Sequence, residues 1–82
     1  MTQFQVSLFQ AITDPAPFAT IPMTAKMPLG ALVFALKQRR ETYVARVDVT
    51  SGEERTTFYH VALGSESITY DREGGIEEQD VG

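Results

Sequence analysis

The chain has 82 residues, 43% of them hydrophobic, no cysteine, and a formal charge of −4 at neutral pH. That length supports one domain, which buries about 60–65% of its unfolded surface, and the apolar content is too high for a disordered polypeptide. The absence of cysteine excludes disulfides, thiolate nucleophiles and thiolate metal sites.

Phe4, Val6 and Leu8 alternate with Gln3, Gln5 and Ser7, the period-two signature of a half-buried strand. Thr13-Asp14-Pro15-Ala16-Pro17 then interrupts regular structure, because each proline removes a donor and extends the residue before it. Phe18 to Met23 predicts a second strand, placed at a sheet edge because Pro22 cannot donate to a ladder.

Pro28 suits the first turn of a helix, where its missing N–H costs nothing. Leu29, Leu32, Val33 and Leu36 follow at helical spacing, with Ala35 widening the stripe. Lys37, Arg39 and Arg40 fall at the end of this pattern, where cations complement the helix dipole. The alternative, a short buried strand over Ala31–Leu36, lacks a reason for the proline entry and the basic exit.

Beyond the helix the period returns to two. Tyr43, Ala45, Val47 and Val49 are expected on one face of a strand, with Val44, Arg46, Asp48 and Thr50 on the other. Ser51-Gly52 turns the chain into a Thr-, Phe-, Tyr- and Val-rich strand from Arg55 to Leu63, and Gly64-Ser65 turns it into a short strand from Ser67 to Tyr70. The resulting order, β-β-α-β-β-β, predicts an α+β fold: a small antiparallel sheet of four to five strands with one helix on one face. Residues 1–75 form the expected domain, and 76–82 read as a frayed acidic C-terminal tail.

Charge is unevenly distributed. Residues 1–65 are close to balanced, whereas 66–82 carry Glu66, Asp71, Glu73, Glu77, Glu78 and Asp80 against Arg72 alone. Such a segment is either a solubilising tail or a surface aimed at a basic partner. Phe34 lies off the helical stripe, beside Gln38 and Gly30, and is a candidate apolar anchor for a partner or a second copy of the chain. Lys37, Arg39, Arg40, Arg46 and Arg55 form the alternative candidate, a basic nucleic-acid surface with strand aromatics for stacking. The negative total charge and the structural reason for cations at a helix end weigh against it.

Catalytic patterns are missing. The one histidine, His60, has no nucleophile elbow near it in sequence, and its plain reading is a partly exposed strand residue. No zinc or EF-hand spacing occurs, so neither metal nor cofactor is expected. Gly74-Gly75 lacks the lysine and following helix of a phosphate loop and reads as a turn. Met1–Leu8 has no basic leader region, and the longest apolar stretch, Met27–Leu36, is about half of the ~20 residues a membrane span needs. The expectation is a cytoplasmic, non-enzymatic protein with no membrane partner.

Val6-Ser7-Leu8-Phe9-Gln10-Ala11-Ile12-Thr13-Asp14, followed by Pro17, Thr20 and Ile21, resembles the opening of VirE-N-terminal-like proteins. Those are primase-associated proteins of bacterial mobile elements, whose chains begin with a similar strand, an Ile-Thr-Asp turn and a proline. The resemblance covers about the first quarter of the chain, departs at Gln10-Ala11, and lacks the family's long helical continuation. It carries no catalytic residue across and implies a phage or plasmid background. In size and acidity the chain is similar to host-directed inhibitors from that background, anti-CRISPR proteins among them.

The functional expectation is therefore a protein-binding inhibitor. Glu66, Asp71, Glu73, Glu77, Glu78 and Asp80 would face a basic, nucleic-acid-binding surface of a host protein or complex, with Phe34 as anchor. A homodimeric structural or adaptor module, and a small nucleic-acid binder, are the alternatives.

Overall fold

A computed structural model describes residues 1–72 in full and the backbone of Gly75–Asp80. Six strands and one helix follow in the order β1 (Thr2–Phe9), β2 (Ala19–Ala25), α1 (Pro28–Arg39), β3 (Tyr43–Ser51), β4 (Glu54–Leu63), β5 (Ser67–Arg72) and β6 (Gly75–Asp80). The strands form a single antiparallel sheet ordered β2-β1-β3-β4-β5-β6, with α1 packed across β2, β1, β3 and β4. This is the expected α+β architecture. As Pro22 requires, β2 is an edge strand.

The helix is held by its stripe. Ala31, Leu32, Ala35 and Leu36 are fully buried against Phe4, Val6 and Leu8 of β1, Ile21 of β2, and Val44, Val47 and Val49 of β3. Burial of Leu32 and Leu36 contributes about 1.5–3 kcal/mol each, so truncating either would open a cavity in the middle of the layer. Pro28 opens the helix and Arg40 closes it in the left-handed region at φ 57°. There the Arg40 N–H donates to the Lys37 carbonyl (3.2 Å) and the Glu41 N–H to the Leu36 carbonyl (3.0 Å), a Schellman closure made without glycine. On β4 and β5, Phe58 meets Tyr70 edge-on, with ring centres 5.0 Å apart.

Two expectations need correction. The faces assigned to β3 hold from Val47 to the strand end but not at its start, where Val44 is buried and Tyr43 is exposed. The same break occurs opposite, on β4. His60 adopts φ 49°, and the β4–β5 register shifts by one residue between Tyr59 and Ala62. A bulge of this kind reverses the alternation, so Phe58 and Val61 both point into the core. The segment expected as a frayed tail also behaves differently. Gly75–Asp80 runs as β6, with Tyr70 opposite Glu77, Thr69 opposite Glu78 and Ser67 opposite Asp80, and makes the second sheet edge. A strand of Glu, Gln and Asp has little intrinsic β preference; what it gains is pairing for the outer backbone groups of β5.

Candidate functional site

The predicted acidic residues lie at one edge of the sheet. Asp71 is on β5, Glu66 is exposed in the turn before it, and β6 carries Glu77, Glu78 and Asp80 along the outermost backbone. Glu73 lies outside the described residues. Asp71 already has an internal partner: its Oδ2 is 2.7 Å from Nδ1 of His60. The bulge places His60 beside β5, where its hydrogen bond joins residues eleven apart. Phe34 is 50% exposed on the outer side of α1, as expected. It does not join the acidic edge, because α1 covers the β2-β1-β3-β4 part of the sheet.

The predicted basic residues do not all share one surface, although Arg46 and Arg55 line one concavity with Asp48, Thr57 and Tyr59. Lys37, Arg39 and Arg40 are at the C-terminal end of α1, whereas Arg55 is beside Thr56, which shares a concavity with Pro28 at the other end. Twelve helical residues separate the two ends, about 18 Å at 1.5 Å per residue. Arg46 is committed elsewhere. It donates from Nη2 and Nε to the two Asp48 carboxylate oxygens (3.0 and 3.3 Å) and from Nη1 to the Ile12 carbonyl (2.7 Å). Its guanidinium carbon also lies 3.8 Å from the centre of the Phe9 ring.

These contacts follow from register. Phe9, Arg46 and Tyr59 occupy one row across the uncovered sheet face; Thr20, Ser7, Asp48 and Thr57 occupy the next. Along the second row the Thr57 hydroxyl donates to Asp48 Oδ1 (3.0 Å), and the Ser7 and Thr20 hydroxyls lie 3.4 Å apart. Asp48 is only 7% exposed, and Arg46 and Thr57 supply the hydrogen bonds that a buried carboxyl needs. Arg46 and Asp48 thus tie β3 to the β1–β2 loop through Ile12.

A feature the sequence reading missed lies at the loop end of β1. Phe9, Gln10, Phe18, Glu41, Tyr43, Val44 and Ala45 line a concavity of about 250 Å³. Tyr43 and Phe18 rim it at 54% and 39% exposure, and Ile12 is exposed on the neighbouring loop. Glu41 is the one charged residue in this lining. The local signals are Phe18 directly after the proline loop and Tyr43 at a strand start. Tyr43 faces outward beyond the break in alternation that β3 and β4 share, and no sequence pattern announces that break.

Chemically, the His60–Asp71 pair can orient an imidazole but supplies no nucleophile. Among the described residues no three His, Cys, Asp or Glu side chains gather as metal ligands, and no helix is long and apolar enough to cross a membrane. No protein-family model, curated protein or solved structure matches the chain.

Proposed function

We propose that the chain is a non-enzymatic binding protein that presents the β5–β6 edge to a lysine- or arginine-lined surface of a nucleic-acid-handling protein and inhibits it by occupying the place of phosphates. The observation that carries this reading is the register of β6, which aligns Glu77, Glu78 and Asp80 on the outermost strand beside Asp71 and Glu66. β6 gathers three acidic residues on the backbone of one sheet edge, next to the strand that carries Asp71. Complementary charge speeds encounter and sets the choice of partner. The resemblance of the opening residues to mobile-element proteins supports a phage or plasmid setting, in which an anti-CRISPR-like inhibitor of a host complex has a use.

The test compares the wild-type chain with Glu77→Gln/Glu78→Gln/Asp80→Asn as baits in bacterial lysate, each eluted with duplex DNA. Proteins retained by the wild type, released by DNA and lost with the triple variant support the reading. Equal recovery on both baits removes the acidic edge from the mechanism.

A further inference from the structure

Aromatic faces attract cations, and a guanidinium adds planarity and a donor fork that fits a carboxylate. The chain makes this combination internally, with Arg46 over Phe9 and gripping Asp48. The concavity beside Phe9 repeats the ingredients without the cation. Phe18 and Tyr43 rim it, Phe9 forms a wall, and Glu41 contributes a half-buried carboxylate that pairs with no cation among the described residues. Glu41 is held in place by the helix closure, where its N–H donates to the Leu36 carbonyl. Arg39 and Arg40 precede it but do not line the concavity.

We propose that the concavity between Phe18 and Tyr43 is a pocket for one arginine side chain of a protein partner, stacked by the aromatic rim and paired with Glu41. Charge decides the occupant. An apolar side chain would leave Glu41 without a partner in a partly desolvated site, and an acidic one would be repelled by it. The inference deepens the binding reading, on which it rests for the source of the arginine, and adds a contact at the far end of the sheet from β6.

The experiment titrates the full ¹⁵N-labelled chain with acetyl-Gly-Arg-Gly-amide and with the same peptide carrying neutral citrulline. The expected result is saturable shifts at the amides of Gln10, Phe18, Glu41 and Tyr43 with the arginine peptide and none with citrulline. Glu41→Gln and Tyr43→Ala are each expected to weaken binding roughly tenfold, as loss of a charge-assisted or cation–π contact implies. The Glu77→Gln/Glu78→Gln/Asp80→Asn variant is expected to bind the peptide within about twofold of wild type, since removing three charges at the other sheet edge changes only the screened long-range field. The pocket is overturned by absent shifts, by equal shifts with citrulline, by unchanged affinity in Glu41→Gln, or by loss of peptide binding in the edge variant. Failure here leaves the lysate comparison untouched, because both of its baits keep Glu41.

Discussion

Arg46 and Phe9 face each other directly across the β1–β3 ladder, and the guanidinium carbon sits 3.8 Å from the ring centre. The cation therefore serves two strands and a loop together, through Phe9, Asp48 and the Ile12 carbonyl. Replacing Arg46 with Ala leaves Asp48 buried with Thr57 as its remaining side-chain donor. A loss of about 3 kcal/mol is expected, in the range for breaking a buried pair on one side. Arg46→Lys should recover only part of it, because an ammonium cannot fork both carboxylate oxygens and stack on the ring. Urea unfolding of the three proteins checks this, and an Arg46→Ala midpoint equal to wild type would contradict it.

His60 provides a second test, of the backbone. Its φ of 49° lies where only glycine sits without strain. His60→Ala and His60→Gly both remove the contact to Asp71, so their difference reports the conformation alone. The glycine variant is expected to be more stable than the alanine variant by about 1 kcal/mol. Matched chemical denaturation curves measure the difference. Equal stabilities would mean that the bulge is lost once the imidazole is gone.

Arg40 closes α1 in the same left-handed region. Arg40→Gly keeps both closing backbone bonds, to Lys37 and Leu36, while removing the Cβ that disfavours the conformation. A gain of roughly 0.5–1 kcal/mol is expected, reduced by the lost cation at the negative end of the helix. Thermal unfolding followed by circular dichroism measures it, and a lower melting temperature would refute the account of the helix end.

Binding through the β6 edge carries a salt signature. Association with a basic partner is expected to slow steeply as ionic strength rises from about 0.05 to 0.5 M, where the screening length falls from above 10 Å to a few ångströms. Glu77→Gln/Glu78→Gln/Asp80→Asn should flatten that dependence, with most of the change in the association rate. Stopped-flow kinetics with the captured partner checks both slopes. A triple variant with the wild-type slope would place the electrostatics elsewhere.

Much of the fold could be read because short-range rules decide it. Pro28, the Leu29–Leu36 stripe and the basic exit locate α1 to within a residue, and Pro22 places its strand at an edge. What escaped depends on distant neighbours. The alternation breaks in β3 and β4 together near His60, leaving Val44 inward, and no residue of β3 itself signals it. Arg46 reads as a free cation until Phe9 and Ile12 converge on it from another part of the chain, beside Asp48 of its own strand. The β6 segment is composed like a solvated tail, and its pairing is supplied by β5 rather than by its own preference. The Phe18–Tyr43 rim joins residues separated by the whole helix.

The position of β1 inside the sheet has a consequence for how the protein forms during synthesis. Among the strands of this sheet it is made earliest and can pair at once with β2, but its other neighbour, β3, arrives some forty residues later: Phe9 must wait for Arg46, and Gln5 for Thr50. Closing that span costs chain entropy before any contact repays it. A hairpin of β1 and β2 therefore carries one unpaired flank until β3 is made.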